Sequence, residues 1–369
     1  MKLKIFFIIF QLAVISSLHA QNAPKYSNEF MAIGVGARGL AMSNSQAAVT
    51  DDVTSGYWNP AGLLNVKEKY AFGLMHASYF AGISNYDYFG FATPIDSRSR
   101  IGLSLIRFAT DDIPDTRFLY DADGNLNYDN INSFSAADYG FLFSYARRSK
   151  LIKGLNLGAN FKIIYRSVGV FANAWGFGLD IGAQLKRGNW QFGLVGRDIT
   201  GTYNTWNYNP ETFYDVFAKT GNTIPDNSIE ITLPRVIADV AYGTRVKENF
   251  GALVTTGVDI TFDGARNTLI KTSMFSIDPH LGMELDFKKI VFLRGGVAGF
   301  QEIKDFKGGT YWTFQPNFGV GIKIKQFKID YALTDIGDQS EGLYSNIFSL
   351  IVGLGKSKNT KPRYIYGNQ

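Results

Sequence analysis

The chain has 369 residues, 46% hydrophobic, 15% aromatic and 19% charged, with a formal net charge of +5 and no Cys. Thirty Phe, 20 Tyr and five Trp are too many for a disordered chain, which lacks the apolar surface that offsets ordering entropy. The absence of Cys excludes disulfide scaffolds, thiolate zinc sites, thiol nucleophiles and lipid anchoring through an N-terminal Cys, and 39 Gly beside so many aromatics point to β structure with close backbone contacts, not to an α/β enzyme.

Residues 1–20 have the layout of a secretory signal peptide: Lys2 and Lys4, an apolar run over 5–18, and the small Ala20 ahead of Gln21. The run is too short to span a bilayer as a helix, which takes about 20 apolar residues. Cleavage after Ala20 lowers the net charge to +3. A balance so near neutral gives no electrostatic case for nucleic acid, which calls for a clustered basic face.

Residues 21–67 form a segment too ordered in composition for a mere leader. It contains Gly36-Ala37-Arg38, then Asp51-Asp52, which suit a turn or helix cap, then Trp58-Asn59-Pro60-Ala61, in which Asn59-Pro60 is turn chemistry. Lying ahead of the first strand, the segment is placed to fold into a barrel lumen as a plug, with Gly-lined inner faces giving it room.

Residues 68–354 show period two. Over 155–166 one face carries Leu155, Leu157, Ala159, Phe161, Ile163 and Tyr165, and the other Asn156, Gly158, Asn160, Lys162, Ile164 and Arg166. Residues 175–186 alternate Trp175, Phe177, Leu179 and Ile181 with Gly176, Gly178, Asp180 and Gly182. Such alternation fits strands and not helices. The spacing predicts fourteen: 69–80, 86–94, 99–109, 136–148, 155–168, 174–186, 189–198, 232–243, 250–262, 277–287, 290–301, 310–324, 326–335 and 343–354. Connections after even strands are short, and those after odd strands are mostly longer. Outer-membrane barrels have an even strand count, short periplasmic turns, long external loops and aromatic girdles. The fold class is therefore all-β, a fourteen-stranded antiparallel transmembrane barrel with both termini in the periplasm and an N-terminal plug. A soluble sandwich also alternates but has no reason to sort its loops by parity.

The long loops 110–135 and 199–231 are the natural recognition surface. The second holds Tyr203, Trp206, Tyr208, Phe213, Tyr214 and Phe217, a composition enriched at interface hot spots, although self-packing over the barrel mouth accounts for it equally. Asp121, Asp123, Asn125 and Asp129 resemble an oxygen-rich calcium loop but depart from the EF-hand pattern, and an Asx-rich turn is the plainer reading. His76 and Ser78 share a strand face like a base and nucleophile, with no evident orienting partner. Neither a catalytic group nor a cofactor is expected. The inward charges Lys162, Arg166, Asp180, Lys186, Asp239, Glu284, Asp286, Arg294 and Lys323 suit pairing with one another and with a plug. Residues 355–369 form a basic tail with Lys356, Lys358, Lys361 and Arg363, either a disordered extension or a docking tail for an acidic periplasmic partner.

Gly36-Ala37-Arg38-x-x-Ala41-Met42, Asp51-Asp52 and Trp58-Asn59-Pro60-Ala61-Gly62-Leu63 resemble the N-terminal motif of PorV/PorQ-type proteins, within the FadL-like superfamily of fourteen-stranded barrels with an N-terminal hatch. By that resemblance Asn59, Pro60 and Ala61 correspond to the Asn-Pro-Ala turn of the hatch. The PorV branch implies a role in the type IX secretion system of Bacteroidota. There the barrel binds the C-terminal signal domain of cargo or caps the translocon, and passes cargo to surface attachment. Lipid and lipopolysaccharide would surround it. The alternative is a FadL-like channel for uptake of hydrophobic small molecules, because a plug that blocks and a plug that gates look alike in sequence.

Overall fold

The computed structural model describes residues 27–120, 123–214, 228–305, 308–334 and 344–356. The expected signal peptide and the tail beyond residue 356 lie outside these residues. Seventeen strands are present: β1 (Glu68–Tyr79), β2 (Ser84–Pro94), β3 (Ser99–Asp115), β4 (Asn132–Arg148), β5 (Leu155–Val168), β6 (Ala172–Arg187), β7 (Trp190–Arg197), β8 (Thr202–Tyr208), β9 (Ile229–Thr232), β10 (Arg235–Lys247), β11 (Phe250–Thr261), β12 (Ile270–Lys271), β13 (Ser276–Phe287), β14 (Val291–Lys304), β15 (Thr310–Ile324), β16 (Phe327–Thr334) and β17 (Ser345–Lys356).

Neighbouring strands pair antiparallel, and β1 pairs with β17 from Glu68↔Lys356 to Ser78↔Asn346, so the sheet closes on itself. β6 pairs with β7 in one half and with β8 in the other, so β7 and β8 are two halves of one stave. β9 and β10 make the next stave in the same way, pairing with β8 and β7. β12 is a two-residue stub on β13. The wall therefore has the fourteen staves that the alternation predicts.

Outward side chains form an apolar belt. Phe161, Trp175, Phe177, Leu179 and Ile181 are exposed on β5 and β6, and Phe318, Val320, Ile322 and Ile324 on β15. A continuous exposed apolar band of this size is untenable in water and fits a lipid-facing surface. Aromatics rim it. Tyr165 and Trp175 pack as tilted rings 4.7 Å apart toward the long-loop end. Trp190–Tyr242 and Phe250–Phe287 pair at 5.0 Å toward the short-turn end.

Besides a register shift between Arg245 and Lys247 beside the β10–β11 turn, three larger departures from the simple alternation are present. Between β3 and β4 the register shifts between Thr110 and Ile113, with Asp112 at φ 55°, and pairing then resumes to Asp115↔Asn132. Past this bulge both strands run on toward the loop, so the hairpin is longer than expected at its loop end and the expected loop 110–135 shrinks to 116–131. β14 shifts between Ala298 and Gln301 around the left-handed Gly299 and likewise continues to Lys304. The third departure, at Asp198 and Gly201 (φ 53° and 67°), separates β7 from β8. The expected loop 199–231 is thus corrected: its first part is strand. A bulge resets the period-two pattern without ending the ladder, which is why the sequence pattern stops there.

The described part of the N-terminal segment runs inside the barrel, from the long-loop end to the short-turn end. Ser27 and Asn28 bond Glu230 and Thr232 of β9 and Asn204 of β8, whereas Asn65 bonds Gln184 and Asn156 near the turns. Two short helices lie between, α1 (Ala37–Ala41) and α2 (Ser55–Trp58), followed by a 3-10 turn, Pro60–Asn65. The main apolar core joins Val35, Leu40, Tyr57 and Trp58 of this segment to wall residues Met75, Tyr86, Ile106 and Leu142.

Candidate functional site

The site is the seam between the inner segment and the wall. On the wall side it is built largely from Gly, because backbone meets wall at distances no side chain tolerates. A Cβ on Gly193 would lie 2.2 Å from the Ala47 carbonyl carbon, and one on Gly296 would lie 2.5 Å from that of Met42. Gly319 faces Ala41, and Gly73 faces Val53.

Asn59 is the pivot of the lower half. Its Oδ1 accepts from the Ala61 N–H at 3.1 Å, and its Nδ2 donates to the carbonyls of Ala47 (2.8 Å) and Ala183 (3.0 Å). Pro60 at the first position of the following turn has its φ preset there. Pro60 and the fully buried Ala61 lie against Gly158. Trp58 donates from Nε1 to the Val35 carbonyl at 2.9 Å, so α2 clamps the irregular segment leading into α1.

Gly36 takes φ 81° and its N–H points at Met75 Sδ, while the Ala37 N–H donates to Ser349 Oγ at 2.8 Å. Arg38 bridges the segment to the wall. Its Nε donates to Glu284 Oε2 at 2.9 Å and its Nη1 to Asp51 Oδ1 at 2.8 Å. Glu284 also accepts from Arg294 Nε (2.6 Å), and Arg294 Nη1 donates to Asp330 at 2.8 Å. Lys328 lies 3.5 Å from Asp330 and 3.9 Å from Asp52, which itself caps Thr54. Crowding would push the Asp51 carboxyl up, but Arg38, then Lys328 and Lys67, hold it below its ordinary value. The motif residues Gly36, Ala37, Arg38, Asp51, Asp52, Trp58, Asn59, Pro60 and Ala61 are thus brought to one seam.

Across the lumen, Lys162 is buried between Asp180 (2.7 Å) and Asp198, and the Asp198 N–H donates to Asp180 at 2.9 Å. Arg197 lies over the Tyr57 ring at 4.4 Å and donates to the Tyr57 carbonyl. A cavity of about 20 Å³ remains here, lined by Met31, Tyr57, Leu142, Lys162, Arg197 and Asp198, directly behind the β7–β8 break. Asp239 accepts from His280 (2.9 Å) and from the Ala47 N–H (2.7 Å). Arg166 pairs with Asp138 (2.8 Å) and Glu230 (3.2 Å), and Arg245 pairs with Asp286 at 2.8 Å.

The other candidate residues do not assemble. Tyr203, Trp206 and Tyr208 belong to β8, where Tyr203 is exposed and Trp206 is buried beneath Arg166 at 5.1 Å. Phe213 packs on Phe171 at 5.8 Å, Tyr214 is exposed, and Phe217 lies outside the described residues. Asp121 also lies outside them. Among the described residues no group of three His or acidic side chains is placed to hold a metal, and the Asp129 N–H is taken by Asn127 in a local turn. His76 does find a partner, Asp87 at 2.7 Å on the lipid-facing side, but Asp87 also carries Arg107 at 3.4 Å, an interfacial ion-pair row. Sequence reasoning passed over Asp198, Asp330 and Ser349. Each is an inward residue with at least one partner far along the chain: Lys162 for Asp198, Arg294 for Asp330 and Ala37 for Ser349.

No protein-family model matches the sequence, and no curated protein matches it. Solved structures do match in fold. The P. putida toluene transporter TodX superposes with a TM-score of 0.56 at 12% identity, covering 88% of this chain and 99% of that one. The CymD monoaromatic hydrocarbon channel superposes with a TM-score of 0.53 at 11% identity, covering 88% and 98%. Identities this low speak for the fold alone. The chain is a closed, fourteen-stave antiparallel barrel of the FadL-like fold.

Proposed function

We propose that the protein is an outer-membrane channel of a Gram-negative bacterium, passing hydrophobic small molecules, in which the inner segment is the gate. The observation that supports this best is the seam itself. The lumen is closed by hydrogen bonds and ion pairs of one short segment, held by Arg38, Asn59 and Ala47. Polar contacts of this kind exchange with water at modest net cost, so opening is opposed chiefly by the apolar contacts of Val35, Leu40, Tyr57 and Trp58 with the wall, and the segment stays tethered through β1. Long loops after odd staves support an orientation with the short turns in the periplasm, and in this reading a ligand enters from the long-loop end and leaves past the segment. The test is accumulation of a labelled monoaromatic hydrocarbon by cells carrying the protein. Accumulation above that of cells lacking it supports the reading; equal accumulation rejects it.

A second reading, a type IX secretion component of Bacteroidota that recognises cargo or the translocon, has one observation in its favour. The cavity of about 20 Å³ beside the segment has room for a water but not for a hydrocarbon, whereas Phe118, Tyr120, Tyr128 and Tyr214 are exposed at the long-loop end, as a protein-binding face would be. Purification in mild detergent separates the two: copurifying lipid or hydrocarbon favours the channel, and large secreted or surface proteins favour the secretion role.

A further inference from the structure

A block of polar side chains interrupts the apolar outer face of the wall. On the β1–β2 hairpin His76 lies opposite Asp87 and Ser78 opposite Asn85, and across the closing seam Ser78 lies opposite Asn346 of β17. These residues face away from the lumen, alternating with the buried, inward Met75, Ala77, Tyr86 and Ile347. The ladders also fix their height. The row of His76 and Asp87 runs on through Arg107, Tyr139 and Tyr165 to Trp175, so it lies in the aromatic girdle at the long-loop end. One step toward the short turns the same face is apolar, with Leu74 opposite Phe89 and Phe89 opposite Leu105.

The fold supplies His76 with the orienting group that the sequence left open. Asp87 Oδ1 lies 2.7 Å from His76 Nδ1, and Arg107 holds the other carboxylate oxygen at 3.4 Å. With Nδ1 donating to Asp87, Nε2 is the basic nitrogen of the ring. Ser78 is the next outward residue along β1, about 6.8 Å away at the rise of a strand, a gap that an imidazole and a hydroxyl close by side-chain rotation. His76 and Ser78 are not hydrogen-bonded to each other in the resting structure, and catalytic hydrogen bonds commonly tighten only with substrate in place. Asn346 Oδ1 accepts from the Tyr331 hydroxyl at 2.5 Å on the β16 side, which leaves its Nδ2 as a donor on the Ser78 side. Asn85 brings a second amide from β2. An ion pair alone is ordinary at headgroup depth. A hydroxyl, a base with its orienting carboxylate, and two amides placed for a developing oxyanion are the parts of an acyl-transfer site.

We propose that this block is a hydrolase site for the acyl esters of glycerophospholipids. Ser78 Oγ attacks the ester carbonyl carbon as His76 Nε2 takes its proton, and Asn85 and Asn346 donate to the oxyanion. The bond to the glycerol oxygen breaks, His76 returns the proton to that oxygen, and the lysolipid leaves. Water, the co-reactant at this interface, then attacks the acyl-Ser78 carbonyl while His76 takes its proton. The fatty acid leaves and the proton returns to Ser78 Oγ. Asp87 is a positioning residue for the ring. The site opens on the membrane and not on the lumen, at the depth where headgroup meets chain, so the acyl chain lies along Leu74 and Phe89. The activity therefore stands independently of the channel reading.

The test uses the full chain, purified from a host lacking its own outer-membrane phospholipase, in mixed micelles with phosphatidylethanolamine labelled in its acyl chains. Fatty acid release should be accompanied by labelling of Ser78 with a fluorophosphonate probe, located by peptide mass. S78A should abolish both. H76N should lower both by about a hundredfold or more, and N85A/N346A should lower release by about a hundredfold. D87N should lower kcat with KM unchanged, a split that a folding defect does not give. S133A, elsewhere on the wall, should match the parent. Each variant is scored only after its heat-modifiable gel shift shows a folded barrel. No release by the parent, or release or labelling retained by S78A, would overturn the proposal. Release from lipopolysaccharide with none from phosphatidylethanolamine would overturn the assignment of the substrate.

Discussion

Gly158 and Pro60 meet as backbone against backbone: a Cβ on Gly158 would lie 2.5 Å from the Pro60 carbonyl carbon and 2.4 Å from the Ala61 nitrogen. The wall and the inner segment are therefore cut to each other at this height. Gly158→Val should destabilise the folded barrel by about 1–3 kcal/mol through overpacking, seen as a lower midpoint of the heat-modifiable gel shift. Gly309, around which a Cβ meets nothing within 4 Å, gives the control. Gly309→Ala should stay within about 0.5 kcal/mol of the parent.

Arg294 is fully buried and holds both Glu284 and Asp330. Arg294→Met should cost about 1–3 kcal/mol, because Glu284 and Asp330 each lose a buried partner and keep only Arg38 and Lys328. Adding Glu284→Gln and Asp330→Asn should recover part of that loss. Urea unfolding in lipid vesicles measures both steps, and additive losses would show that the three residues do not act as one network.

The fold was legible where physics is local. Alternation follows from the strand's two-residue period, so β5 and β15 emerge from sequence with their boundaries intact. The β7–β8 break was not legible, because Asp198 and Gly201 reset the alternation while the ladder to β6 continues. At the site, the turn around Asn59 was readable because Asn and Pro act on their own backbone. The partner of Arg38 was not, since Glu284 lies 246 residues away and nothing local in either residue names the other.

Asp51 gives the seam a pH dependence. Its folded-state carboxyl is held below the ordinary value, so its contribution is fully present above about pH 4, the unfolded value, and is lost as pH falls through the lower folded value. Hydrogen exchange of residues 37–58, corrected for intrinsic rates, should be level from pH 7 to 5 and rise below 4. Asp51→Asn should flatten that rise and start from weaker protection at pH 7.

Orientation is tested by protease sites inserted into the connections. Sites near Asn127 and Asn209, at the long-loop end, should be cut on intact cells, whereas sites near Lys153 and Arg187 should be protected. Equal cutting of all four would reject the assignment of the turns to the periplasm.

The central claim is that the inner segment must leave the wall for a ligand to pass. A Cβ on Gly56 of α2 would lie 4.0 Å from the Ser104 Cβ on β3, within the 3.5–4.5 Å that a disulfide needs, and the chain has no other Cys. The decisive measurement is hydrocarbon accumulation by cells carrying Gly56→Cys/Ser104→Cys, oxidised and then reduced. The gate predicts accumulation at the level of cells lacking the protein when oxidised, restored to the parent level on reduction. Equal accumulation in both states would contradict it.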